Sequence, residues 1–306
     1  MSGSRLVHIV DEVAELAAAR EGREPGPVML VALEGFLDAG NATHLLVEHL
    51  RTLDAGRVVA GFEVDELHDY RARRPPMTFH ADHYADYEPP RLAVWLRHDA
   101  AGTAYLVLSG PEPDIRWEAF TRAVREVVET FAVPSVVSLG AVPMTVPHTR
   151  PVQLTNHATA QRLLVQDNLW SGDLQVPASA QALLELRLGE WDHDAMGFVA
   201  HIPHYLAQMD FPQASLVLMS GVEEATGLHW DREDLAALAE ARRRSIEEQV
   251  AESGQVQEVV RGLEQQYDAY QASREGALGD EPLPSGEELG AQFEQFLAGL
   301  DRPEEE

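Results

Sequence analysis

Two kinds of spacing alternate along the first half of this chain. Val28–Leu33, Val58–Val64, Leu92–Leu96, Ala104–Leu108 and Ser135–Leu139 are short runs of consecutive apolar residues, many of them β-branched. Such runs predict strands buried on both faces. The first run passes through a glycine-bearing turn, Glu34–Ala42, into a helix ending near Leu53, and Trp117–Phe131 predicts a second helix. Strand alternating with helix implies a largely parallel sheet with right-handed crossovers, an α/β class. In the second half, Ala158–Gln166 and Pro177–Leu188 predict helices, and Met196–Ile202 predicts a strand. Asp210-Phe211-Pro212 predicts a helix start, with Asp210 as the cap and proline just inside.

From Asp231 the spacing changes again. Leu235, Leu238, Arg242, Ile246 and Val250 recur at intervals of three and four, and after Gly254 so do Val256, Val260, Leu263, Tyr267 and Tyr270. Two amphipathic helices joined at a glycine predict an antiparallel hairpin. Four regions follow. Residues 1–27 are expected to form an amino-terminal segment, with a short helix at Ala14–Arg20 and a Gly/Pro linker, and 28–230 the α/β core. Residues 231–272 are expected to form the helical appendage, and 273–306 an acidic tail, expected to be disordered to Pro284 and to carry a short helix at Ser285–Leu297.

Charge sharpens this division. Of 306 residues 51 are acidic and 23 basic, a formal net charge of −28. Residues 231–306 hold 20 acidic and 7 basic residues, so the last quarter reads as a solvated appendage and tail. A field of that sign opposes non-specific binding to nucleic acid or anionic membrane. The chain has no cysteine, which excludes disulfides, thiol catalysis and cysteine metal sites. It also has no lysine, which excludes Walker-type phosphate loops and Schiff-base chemistry. With no signal-peptide pattern and no apolar run of membrane length, a soluble cytoplasmic protein is expected.

Candidate chemistry gathers where the strands end. In an open α/β sheet, ligands bind in the crevice beyond the carboxyl ends of the strands. The residues the chain delivers there are Gly35, Asp38 and Asn41, then Ser109, Gly110 and Asp114, then Gly140, His148 and Arg150. The last group sits in a loop expected to begin at Gly140 and to be stiffened by Pro143, Pro147 and Pro151. His148 and Arg150 could orient a carboxylate or phosphate, although an arginine paired with an acidic neighbour is the slightly favoured alternative. Gly35 and Gly40 lack the dinucleotide-fingerprint spacing, and a tight turn capped by Asp38 or Asn41 outweighs anion binding. Asp114 opens a helix, where a carboxylate suits the dipole without further function. Ser109 lacks a nucleophile elbow. His80 and His83, three apart in extended chain, point to opposite faces; His201 and His204 straddle Pro203 and could converge. No metal site and no cofactor follow from these patterns.

One stretch is unusual for so acidic a chain. Tyr70, Arg71, Arg73 and Arg74 cluster before Pro75 and Pro76, and tyrosine and arginine are enriched at protein interfaces. They are expected to form a contact surface for another chain, foremost a second copy. Neutralisation by Asp65, Glu66 and Asp69 is the alternative.

Taken together, DYRARRPPMTF (Asp69–Phe79), LEGFLDAGNA, LSGPEPDIRW (Leu108–Trp117) and GAVPMTVPHTRP (Gly140–Pro151) resemble the bacterial branch of the proteasome assembly chaperone family. The resemblance runs from about Val28 to Tyr270. It implies an α/β sandwich similar to purine nucleoside phosphorylases, with added carboxy-terminal helices and self-association. Eukaryotic and archaeal members of the family assist proteasome core assembly, which makes proteasome subunits candidate partners. Some relatives dock through a terminal hydrophobic-tyrosine motif; this chain ends in Glu304-Glu305-Glu306, so that mode is not expected. Two functions are then in view. One is a non-enzymatic, oligomeric, chaperone-like binding protein. The other is a small-molecule binder or a phosphorylase- or hydrolase-like enzyme using the strand-end crevice. The lack of a nucleophile, metal or cofactor motif favours the first.

Overall fold

The computed structural model describes residues 6–10, 26–165, 168 and 173–276. The helices expected at Ala14–Arg20 and Ser285–Leu297 lie outside these residues. Ten strands are described: β1 Val7–Ile9, β2 Val28–Glu34, β3 Arg57–Phe62, β4 Thr78–His80, β5 His83–Ala85, β6 Ala93–His98, β7 Ala104–Pro111, β8 Val136–Met144, β9 Leu154–Ala158 and β10 Ala195–Pro203. The helices are α1 Ala42–Leu53, α2 Trp117–Thr130, α3 Ala180–Glu190, α4 Pro212–Thr226, α5 Glu233–Ala251 and α6 Gly254–Gly276.

Eight strands form one sheet in the order β1-β3-β6-β7-β2-β8-β10-β9. The four central strands, β7, β2, β8 and β10, are mutually parallel, and both flanks are antiparallel. The α/β class holds, with its parallel part at the centre. β2 shows why its sequence run is continuous. Met29, Val31 and Leu33 pack on one face with α2 and α3, and Leu30 and Ala32 on the other with α1 and α4. A strand covered on both faces needs no polar alternation. The second layer continues into α5, whose Leu235 and Ile246 join the core beside Trp230. The inner face of these carboxy-terminal helices is therefore core, while the acidic outer face carries the charge.

Three local expectations are overturned. β8 does not stop at Gly140 but pairs with β10 as far as Met144, because Pro143 falls near the strand end, where it is tolerated. The helix expected at Ala158–Gln166 is not found over the described residues 158–165: Leu154–Ala158 is an edge strand antiparallel to β10, followed by a single 3-10 turn at Gln161–Leu163. Asp210 does not cap α4; Phe211 occupies that position, and the Asp210 carboxylate accepts a 2.7 Å bond from Asn41 Nδ2.

Candidate functional site

Since β7, β2 and β8 are adjacent and parallel, the turns that follow them lie side by side at one sheet edge. Backbone bonds join them. Ala141 N donates to Leu37 O at 2.8 Å, and Glu112 N to Glu34 O at 2.9 Å. Glu112, which sequence reasoning passed over, couples the same turns through its side chain. One oxygen accepts from Phe36 N at 3.3 Å, and the other accepts from Ala180 N, at the start of α3, at 2.7 Å.

The nine strand-end residues do not form one crevice. Gly35, Asp38 and Asn41 line an open hollow of about 320 Å³ together with Glu34 and His44, two residues the sequence reading missed. The Glu34 carboxylate lies 3.2 Å from His44 Nδ1. That hydrogen bond holds Glu34 below the usual carboxylate range and raises the imidazole. Burial pushes Asp38 up, against the opposing bonds from Thr43, whose N lies 2.7 Å from Asp38 Oδ1. Asn41 adopts a left-handed φ of 50° after Gly40 at 68°, so the turn presses against Phe211 and Ile202. Asn41 and Asp210, bonded to each other, tie the turn to the chain entering α4.

The other six residues have local structural duties. Ser109 lies within β7, paired to Ala93 and Ala32. Gly110 has φ +128°, and a side chain there would strike the Arg91 carbonyl at 2.1 Å. Gly140 is buried mid-strand rather than at a loop's start, with Leu37 3.4 Å from where its Cβ would be. Asp114 does not serve the helix dipole. It accepts from Asp69 N at 2.7 Å and pairs with Arg73 at 2.8 Å, with His68 Nδ1 at 3.5 Å. His148 bonds the Tyr205 hydroxyl at 2.7 Å, and burial lowers its pKa. Arg150 grips α6 through Asp268 at 2.6 and 2.7 Å and Glu264 at 3.3 Å. The pairing with acidic neighbours accounts for this arginine.

Histidine pairs are placed differently from expectation. His80 and His83 are direct cross-strand partners, because a two-residue turn at Ala81-Asp82 folds β4 onto β5. Their rings are 5.8 Å apart, and each bonds an aspartate, Asp86 or Asp82. His201 is buried and bonds Thr155 Oγ1 at 2.9 Å, whereas His204 stacks edge-on with Tyr205. Among the described residues, no group of three His, Asp or Glu side chains could hold a metal ion. Ser138, His157 and Glu185 also meet, beneath α3. Glu185 stands between the other two, 3.3 Å from Ser138 Oγ and 2.8 Å from His157 Nδ1, so the acid rather than the histidine meets the serine. That arrangement lacks the base-to-nucleophile bond of a catalytic triad.

The Tyr70–Arg74 stretch is the base of a projecting arm, β4–β5. Arg73 points inward, paired with Asp114 and bonded to the Glu112 carbonyl. The Tyr70 hydroxyl donates to Asp65 at 2.5 Å, a bond that pushes its pKa up to about 12. His68, buried, bonds the Arg73 carbonyl at 2.9 Å. Arg71 and Arg74 remain exposed, with no carboxylate partner among the described residues. The arm also exposes Met77 (51 %), Phe79 (58 %), Tyr84 (73 %) and Tyr87 (46 %), and the Phe79 and Tyr84 rings stack edge-on at 5.1 Å.

No described helix is long and apolar enough to cross a membrane. The sequence matches the PAC2 family over residues 32–250. Among solved structures, the chain is similar to a Mycobacterium tuberculosis protein of unknown function, at 42% identity and TM-score 0.79, covering 82% of this chain and 88% of that one. A Corynebacterium glutamicum protein of unknown function matches at 37% identity and TM-score 0.77, covering 82% and 94%. A Mycobacterium tuberculosis proteasome-assembly chaperone homologue matches at 27% identity and TM-score 0.70, covering 76% and 99%. No curated protein matches the chain in sequence. Since the match spans well over half of its length, the chain belongs to the PAC2 family.

Proposed function

We propose that this protein is a non-enzymatic binding protein of the chaperone kind, which works by holding other protein chains at the β4–β5 arm. The observation that carries this reading is the arm itself. Its apolar and aromatic side chains are exposed together, on a base fixed by Asp114, Arg73 and His68. A cluster of exposed aromatics on a rigid support is costly in water unless a partner covers it. Family membership adds weight, since a relative of the same fold is a proteasome-assembly chaperone homologue. Proteasome subunits and a second copy of this chain are the proposed partners.

Affinity purification from the native host, followed by mass spectrometry, tests the reading. Wild-type protein should bring down a defined set of chains that an Arg71→Glu/Arg74→Glu/Tyr84→Asp variant does not. Equal capture by both would remove the arm from the function.

The hollow at Glu34, Asp38 and His44 supports a second reading, a small-molecule site. Neighbouring titratable groups whose pKa values are pushed in different directions are a common feature of functional sites. A melting-temperature screen with nucleosides, phosphate and short peptides checks it. A ligand at 100 times its Kd should add about 2.7 kcal/mol, and no shift across the panel removes this reading.

A further inference from the structure

The hollow at the end of β2 is one-sided in charge. Glu34 and Asp38 line it with Gly35, Asn41 and His44, and two further carboxylates stand close by. Asp210 Oδ1 is 2.7 Å from Asn41 Nδ2, and Glu112 Oε2 is 2.7 Å from where a Cβ on Gly35 would lie. Two cations answer them, and both are engaged. His44 meets Glu34 at 3.2 Å; Arg73, whose charge also acts on Glu34, is paired with Asp114 at 2.8 Å. The other Glu34 oxygen, Oε2, has no hydrogen-bond partner among the described residues, and the side chain is about half exposed. Asn41 donates its amide to Asp210, which leaves its side-chain oxygen to accept. The hollow therefore presents mostly acceptors.

This lining rules against other ligand classes. An anion such as phosphate would seek the amino terminus of α1, but the Asp38 carboxylate already takes that place, with Thr43 N 2.7 Å from its Oδ1. A net charge of −28 repels it further. A metal ion lacks ligands, because no group of three His, Asp or Glu side chains among the described residues could hold one. A neutral polyol would leave the surplus negative charge unanswered.

We propose that the hollow binds an organic cation, through a guanidinium or primary ammonium group that donates to Glu34, Asp38 and the Asn41 side-chain oxygen. This rests on the reading of the hollow as a ligand site and names the ligand's chemistry. Guanidinium and ammonium groups carry donors and no acceptor, which matches the lining. A volume of about 320 Å³ suits one such group on a short aliphatic chain. Burial opposes the Asp38 charge, and a cation beside it would restore that charge. The same head group occurs on free amines and on the basic side chains of proteins, so the test separates the two sources.

Full-length wild-type protein is titrated at fixed ionic strength with agmatine, with a capped Gly-Arg-Gly peptide, and with the same peptide carrying citrulline, which keeps the shape of arginine without its charge. Agmatine or the arginine peptide should raise the melting temperature saturably, and the citrulline peptide should bind at least tenfold more weakly. Saturation by agmatine alone assigns the site to a free amine, and by the peptide alone to a protein side chain. Equal binding of the two peptides would overturn the proposal, as would no shift with any of the three. In that second case a shift with nucleosides or phosphate leaves the hollow a ligand site of another kind, and no shift with those either removes the site itself.

Two further readouts locate the cation. In carboxyl-carbon NMR of the wild-type protein, agmatine should move the Glu34 and Asp38 titrations to lower pH, whereas an anion would move them higher. Glu34→Gln should weaken agmatine at least tenfold with circular dichroism unchanged, and Leu186→Ala, on the exposed side of α3, should not weaken it. Titrations that stay in place in the NMR experiment, or undiminished binding in folded Glu34→Gln, would overturn the proposal.

Discussion

The Asp114 carboxylate meets the Arg73 guanidinium at 2.8 Å, and through this bond the arm is held to the end of β7. Asp114 also accepts from the Asp69 amide and lies beside buried His68, so one carboxylate ties the arm's base at several points.

Replacing Asp114 by alanine should therefore loosen the arm and lower stability by about 2 kcal/mol, the usual loss for hydrogen bonds to charged groups. Urea denaturation measures the loss, and limited proteolysis within residues 69–90 reports the loosening. pH gives a second readout. Burial opposes the Asp114 charge, but Arg73 and the Asp69 amide outweigh it and hold the folded pKa below the ordinary value. A depressed carboxylate stabilises the fold above its unfolded pKa of about 3.9. That contribution should disappear as pH falls below about 4, and the alanine variant should lack this part of the acid transition.

His201 gives the fold a different acid sensitivity. Burial lowers its pKa to about 4, so between about 6.5 and 4 the unfolded chain binds a proton that the folded chain refuses. Stability should fall as pH drops through that window, by roughly 3 kcal/mol at its lower end. His201→Gln should flatten the slope by about one proton, measured by urea denaturation at a series of pH values.

At Gly197 the sheet has no room for a side chain. A Cβ there would lie 2.2 Å from Ser138 Oγ and 2.4 Å from His157 Cε1. Gly197→Ala should cost roughly 1–3 kcal/mol, the range for overpacked cores, and chemical denaturation reads it out.

Arg150 governs how firmly α6 lies on the strand-end loop. The hydrogen bonds that Arg150 donates to the Asp268 carboxylate favour the charged guanidinium, and the same bonds lower the pKa of Asp268. Arg150→Ala should speed amide exchange in residues 260–270 by a factor of several while leaving β8 and β10 unchanged, as judged by hydrogen exchange.

The sequence foreshadows the sheet because its central strands are buried on both faces and cannot alternate. Val28–Leu33 therefore stands out as an apolar run, as does Met196–Ile202. Edge strands carry a weaker signal. Leu154–Ala158 contains Thr155, Asn156 and His157, whose partners His201, Asn168 and Glu185 come from other parts of the chain. The candidate site is legible to the same degree. Parallel topology brings the three turns to one edge, but the duties of Asp114, Arg150 and Gly140 depend on contacts that spacing does not encode. Asp114 meets a loop 45 residues upstream, and Arg150 meets a helix 118 residues downstream. His80 and His83 turned on one local feature, the Ala81-Asp82 turn, which exchanges opposite faces for direct pairing.

The claim that the arm is a protein-contact face is tested most directly by its own amides. A two-stranded hairpin joined by three residue pairs and exposed along its length should exchange rapidly when alone. Hydrogen exchange is to be measured on wild-type protein at dilutions below and above the onset of association, and with any captured host partner. Residues 78–85 should exchange at least several-fold more slowly in the associated form. Unchanged exchange across the arm, in an assembly whose mass has risen, would contradict the account.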